Sequence, residues 1–316
     1  MSQQSSINDN CDSEKKIELL LNWSILDDPA IIERCRNSLR EDGVMVVRNF
    51  ATKDGLERLK AEVLSVPCND SRQHYTPWQD QGDHVNYPSS HPRNFMMHSS
   101  AAFVGRKTLE HDTRDRLCVS IYNDGDTDYC DEADLNNDAD NNNNRLLRFL
   151  STVAIKKLYK STDENGSVYS YRVHPEHDAP WHFDESPYTA IIYLQNSEGG
   201  GEFEYVPWCR PTVSKDDEKG HETVKRILMD CGKNTDDDDD DSNNYDIVKR
   251  RITVEPGSLV FFNGARSFHR AAPITGPSIR LGLVFTYGEK EGFANSDNVK
   301  NSNEWDPEDA TCMMQK

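Results

Sequence analysis

Residues 180–206 read PWHFDESPYTAIIYLQNSEGGGEFEYV, and the way this stretch breaks into short pieces decides the class of fold. Pro180 to Asp184, Thr189 to Leu194 and Glu202 to Val206 are brief runs rich in β-branched and aromatic residues, punctuated by turn formers such as Gly199-Gly200-Gly201. The same rhythm begins at Val168 to Val173. It continues through Ile247 to Val254, Ser258 to Phe262 and Leu281 to Tyr287, with Pro256-Gly257 as a further turn. No helical pattern separates these runs, which argues against a parallel sheet built from βαβ units. The expected fold is mainly β with α: an antiparallel double-stranded β-helix, jelly-roll or cupin-like, with flanking N-terminal helices.

Upstream, Asp28-Pro29 reads as an N-cap followed by proline in the first turn, and Ile31, Ile32, Cys35 and Leu39 share one helical face before Gly43. Val44 to Val47 follows as a strand. Thr52 caps a second helix carrying Leu56, Leu59 and Val63. Residues 67 to 98 show no period and read as a long loop in which Asn94, Met96 and His98 either face a pocket or lie at the surface or in the core. Leu109 to Tyr122 and Leu146 to Tyr159 fit strand or helix. The division expected is a flexible 1–27, a single domain over 28–292 and a tail from 293 to 316, with acidic insertions near 123–144 and 214–246.

The formal net charge is −19 over 316 residues, but it is concentrated. Eight acids fall between Asp124 and Asp140 and six more run from Asp236 to Asp241; without these fourteen the chain sits near −5. Both runs read as solvated, disordered insertions. An acidic chain without clustered Lys and Arg is a poor partner for nucleic acid. Eight scattered cysteines with no CxxC fit reduced thiols rather than a disulfide framework or zinc site. No apolar run has the length of a membrane span, and the polar N-terminus has no signal core. A soluble, cytoplasmic protein is expected, its oligomeric state unread.

Side chains alternate along a strand, so His182 and Asp184 project together while Trp181 and Phe183 turn to the other face, as core or pocket wall. An imidazole and a carboxylate side by side are two thirds of the 2-His-1-carboxylate face that holds non-haem Fe(II). His269 is the best third ligand, provided that the strand after Pro256-Gly257 lies beside the 180–184 strand. His174 or His177 could substitute in a shifted register. Arg280 opens an apolar strand, and its planar fork suits the far carboxylate of a dicarboxylate co-substrate; a surface arginine is the plainer alternative. Tyr171, Thr189 and Tyr193 alternate with apolar neighbours, as hydrogen-bonding groups for that co-substrate or as core packing.

The order of parts, HFDES…GGGEFEYVPW…YDIV…PGSLVFFNGARSFHRAAPITGPSIRLGLVFTY, resembles the Fe(II)/2-oxoglutarate-dependent oxygenases, most specifically between residues 169 and 287. The resemblance implies iron on His182, Asp184 and His269, and 2-oxoglutarate on Arg280. Dioxygen is the co-reactant, and ascorbate a supporting reductant. The wording is closest to the branch that hydroxylates or chlorinates free amino acids. Its halogenating members carry a small residue in place of the carboxylate, so Asp184 points to hydroxylation, desaturation or ring closure. The small-molecule substrate is expected near Glu185, Val284 and Thr286, with Asn94 and His98 as further candidates. Apolar Val284 suits a greasy arm. Within the branch, the algal oxidative cyclases of kainoid biosynthesis, which close a ring on an N-prenylated glutamate, are the specific resemblance. A protein or peptide hydroxylase, or a non-catalytic cupin-like sensor of metal or 2-oxoglutarate, are the alternatives.

Overall fold

Asp28 accepts a hydrogen bond from the Ala30 N–H, and helix α1 (Pro29–Asp42) runs from there to Gly43, whose φ of 73° is the left-handed turn that glycine adopts without penalty. A computed structural model of the chain describes residues 17–66, 73–75, 97–99, 101–123, 144–175, 179–210, 223–224, 226–227 and 249–295. After β1 (Val44–Val47), Thr52 caps α2 (Lys53–Ser65) through the Gly55 N–H. Next come the short strands β2 (Gln73–Tyr75), β3 (Met97–Ser99) and β4 (Ala101–Gly105). Helices α3 (Arg106–His111), α4 (Leu117–Tyr122) and α5 (Arg145–Ala154) complete the first half.

The second half is all strand: β5 (Tyr159–Lys160), β6 (Val168–Val173), β7 (Ala179–His182), β8 (Tyr188–Gln195), β9 (Phe203–Val206), β10 (Arg250–Ile252), β11 (Leu259–Phe262), β12 (Phe268–Ala271) and β13 (Arg280–Gly288). The larger sheet has the order β1-β11-β8-β13-β6-β4, with β5 against β13; the smaller is β10-β9-β12-β7. All these pairs are antiparallel. From β6 to β13, successive strands pass from one sheet to the other, except for β9 and β10, which pair within the smaller sheet. That path is the expected double-stranded β-helix.

Period-2 alternation sorts the core into layers. Ala190, Ile192 and Leu194 of β8, Leu259 and Phe261 of β11, and Leu281, Leu283 and Phe285 of β13 face outward and pack with the helices. Their neighbours Ile191, Tyr193, Val260, Phe262 and Val284 face inward and meet Phe203 and Tyr205 of the smaller sheet. A third layer, Trp181, Phe183, Val206 and Phe268, lies on the smaller sheet's outer face.

Several expectations change. The strand after Pro256-Gly257, β11, joins the larger sheet; the strand beside β7 is the next one, β12, too short and mixed (FHRA) to stand out in the sequence. The loop expected over 67–98 contains paired strands β2 and β3. The first 27 residues are not all a flexible lead, because Ile17, Leu20, Leu21, Trp23 and Leu26 are buried in the main core. Nor is the second acidic span wholly solvated: Val224 and Ile227 are fully buried in the layer with Trp181 and Phe183. The acidic runs themselves, Asp124 to Asp140 and Asp236 to Asp241, lie outside the described residues. Residues 293–295 belong to the domain rather than to a tail, since the Phe293 carbonyl accepts from Thr162 and Asn295 is buried. No helix among the described residues is long and apolar enough to cross a membrane.

Candidate metal and dicarboxylate site

His182 closes β7 and His269 sits directly opposite it on β12. Cross-strand partners bring side chains on the same face within contact, and the two imidazole rings stand 4.3 Å apart between centroids. Just past the end of β7, the Asp184 N–H donates to the Gly264 carbonyl (3.1 Å). This turns the Asp184 carboxylate back toward the histidines, with Oδ1 3.5 Å from Nε2 of His182 and 3.5 Å from Nε2 of His269. One ligand atom from each residue lies within 4.8 Å of the others, a set able to hold a metal ion. Trp181 and Phe183 point away into the outer layer, as strand alternation requires.

His269 is oriented from behind. Its Nδ1 is 2.9 Å from the Ser267 carbonyl, which fixes Nδ1 as the protonated nitrogen and leaves the Nε2 lone pair for a metal. The rings of Phe262 and Phe203 flank it at 4.8 and 5.7 Å. Burial raises the Asp184 carboxyl, but His269 and His182 outweigh it and hold the group well below the usual carboxylate range. Two nitrogens and one ionised oxygen on a single face suit Fe(II) and leave the opposite positions open.

Arg280 shares this cavity, which has a volume of about 110 Å³. Its residue is only 4% exposed. The guanidinium lies between the rings of Tyr171 and Tyr193, 4.7 and 5.0 Å from their centroids. Nη2 donates to the Tyr193 hydroxyl (2.8 Å), whereas Arg280 Nε has no hydrogen-bond partner. Among the described residues no carboxylate pairs with Arg280; its neighbours there are the two neutral phenols. A buried cation without a counter-ion is costly, and this orphaned cation fits a carboxylate group supplied by a ligand.

The other candidates fall out as follows. Glu185, Val284 and Thr286 line the cavity with the metal residues. The Thr286 hydroxyl donates to the Gly166 carbonyl (2.8 Å), so it serves as wall. Thr189 also lines the cavity, and its one hydroxyl proton goes to Asp184 Oδ2 (2.6 Å) rather than toward Arg280. His98 lies on β3, paired with His74 and near β7; Asn94 and His177 lie outside the described residues. His174 is not part of the metal group.

Sequence reasoning passed over Phe103, Tyr169, Ser186 and Asn295, all of which line the cavity. Asn295 accepts from the Ser186 hydroxyl (3.0 Å) and donates to Asp163 (3.1 Å). It follows the last strand with no period to flag it, while Phe103 sits in a short apolar run, AAFVG, that could have been read as a strand.

No protein-family model and no curated protein matches this chain. Solved structures do. AviO1 from Streptomyces viridochromogenes is 13% identical over 84% of this chain and 97% of that one, with a TM-score of 0.50. The likeness is one of fold. An oxidoreductase of the 2OG-Fe(II) oxygenase family from Burkholderia pseudomallei is 13% identical over 83% of this chain and 92% of that one, with a TM-score of 0.46. HygX from Streptomyces hygroscopicus, solved with nickel, 2-oxoglutarate and hygromycin B, is 15% identical over 82% and 87% of the two chains, with a TM-score of 0.47.

Proposed function

We propose that this chain is an Fe(II)- and 2-oxoglutarate-dependent oxygenase acting on a small amino-acid-derived molecule. The observation that carries the reading is one cavity holding both a His182-Asp184-His269 cluster and a buried, unpaired Arg280. His182, Asp184 and His269 would hold the iron. Arg280, with the Tyr171 hydroxyl beside it, would grip the distal carboxylate, and Tyr193 would fix the guanidinium by accepting from it. When bound, iron and 2-oxoglutarate supply the oxidant: dioxygen is consumed, the keto acid leaves as succinate and carbon dioxide, and a substrate C–H bond is broken.

The remaining wall suits a substrate of mixed character. Glu185 offers a carboxylate to an amine, and Ile191, Phe103 and Val284 offer an apolar surface to a hydrocarbon arm. With Asp184 in place of a small residue, the outcome is hydroxylation or oxidative ring closure. The specific reading is kainoid-type closure of a pyrrolidine ring on an N-prenylated glutamate. Anaerobic addition of 2-oxoglutarate to the Fe(II) protein should give a visible charge-transfer band, and once dioxygen is admitted succinate release should depend on amino acids or N-alkyl amino acids. Absence of both sinks the oxygenase reading. Should an N-prenylated glutamate pass unchanged while an ordinary amino acid is hydroxylated, the ring-closure reading goes and the oxygenase reading stays.

A further inference from the structure

We infer that Thr189 and the absent side chain of Gly264 together lock the Asp184 carboxylate into one-oxygen ligation, making Thr189 a positioning residue; the inference rests on the metal-site reading above. Asp184 Oδ1 faces both histidines at 3.5 Å. Oδ2 is directed elsewhere and accepts the Thr189 hydroxyl proton at 2.6 Å. Thr189 lies on β8 of the larger sheet, between Phe262 and Thr286 in register, so its bond crosses from one sheet to the ligand of the other. A threonine hydroxyl has a single proton, and here it marks which carboxylate oxygen is kept from the metal.

Gly264 supplies the second constraint. A Cβ built there would stand 2.0 Å from Asp184 Oδ2, 2.6 Å from Cγ and 2.7 Å from Cβ. Gly264 is not among the glycines with positive φ. Its lack of a side chain therefore answers a need for space rather than for an unusual backbone. The Gly264 carbonyl meanwhile accepts the Asp184 N–H. The backbone contact, the hydroxyl and the vacant Cβ position thus act on one carboxylate from three directions. A carboxylate free to rotate would offer both oxygens to the metal and occupy a position that a chelating keto acid needs. Held as it is, Asp184 contributes one oxygen.

The test uses Co(II) as the probe, titrated into the full chain and into the Thr189→Ser, Thr189→Val, Thr189→Ala and Gly264→Ala variants. Affinity and the Co(II) d–d absorption are read before and after 2-oxoglutarate is added. Thr189→Ser should stay within about threefold of the parent with the same spectrum. Thr189→Val, nearly isosteric, and Thr189→Ala should bind about 10- to 100-fold more weakly with an altered d–d envelope. Gly264→Ala should change the spectrum further. If Thr189→Val and Thr189→Ala bind Co(II) within threefold and keep the parent spectrum, Thr189 is ordinary wall and the inference is overturned. A parent chain that binds no Co(II) would instead overturn the metal-site reading, and this inference with it.

Discussion

The two sheets around the cavity divide its chemistry unequally. The smaller sheet holds the two histidines on strands of four residues, β7 and β12, and Asp184 just past β7, with the His182 and Asp184 side chains still 17% and 16% exposed. The larger sheet holds Arg280, Tyr171 and Tyr193 on longer strands, and every residue of β13 is buried. Its outer face is packed by α2, α4 and α5, while among the described residues the smaller sheet is backed by a slimmer apolar layer. A metal that must exchange ligands suits the side nearer to solvent. A guanidinium gains strength from a dry, rigid setting, where charge interactions are poorly screened. The difference predicts that each half of the proposed site can be broken without the other.

The largest effect expected is His269→Ala, which removes a ligand from the smaller sheet and should weaken metal binding by at least ~100-fold, measured by anaerobic Fe(II) or Co(II) titration. Arg280→Met should leave that titration unchanged. It should weaken 2-oxoglutarate binding by about a hundredfold, since a charge-assisted fork is lost. Parallel losses of both ligands in either variant would erase the division between the sheets.

Gly282→Ala sharpens the comparison within the larger sheet. Gly282 pairs with Tyr171, and a Cβ there would meet the Tyr171 ring at 2.4–2.5 Å. The ring must move off the Arg280 guanidinium, at a cost of about 1–3 kcal/mol in thermal stability and with weaker 2-oxoglutarate binding but intact metal affinity. The smallest effect concerns the smaller sheet's pins. Burial raises the Glu204 carboxyl, but Arg270 and Arg251 outweigh it and lower the group below its ordinary value of 4.5. Its contribution is therefore full above that value and lost as the pH falls through the lowered one. Glu204→Gln should cost about 1 kcal/mol at neutral pH, discounted because Arg251 is largely exposed. The gap to the parent should close in acid denaturation curves, and metal affinity should stay the same.

Much of this was legible in the sequence where local rules act alone. Asp28 and Thr52 cap their helices, Gly43 ends one, and Val168 to Val173 forms the strand that its β-branched and aromatic composition announces. The HxD pair stood out by its spacing and Arg280 by opening an apolar strand; that Asp184 reaches the histidines from beyond β7, turned by its N–H bond to Gly264, was not legible. What stayed hidden depends on contacts distant in sequence. FHRA carries no strand signature of its own and becomes β12 by pairing with β7 and β9. The role of Thr189 could not be separated from core packing until Asp184 was seen to turn back onto it. Val224 and Ile227 were masked by the acidic surroundings of their span, and Asn295 by the absence of any period after β13.

Strands β9 and β10 are hydrogen-bonded neighbours although everything between Val206 and Arg250 separates them in the chain. The register that sets His269 against His182 is fixed by β12 clasping both β9 and β7, so it does not depend on the length of that excursion. Closing a longer loop costs only about 0.6 kcal/mol per doubling. Inserting residues at Asp236 to Asp241 should therefore leave the spacing of the proposed ligands, and with it Co(II) affinity, unchanged.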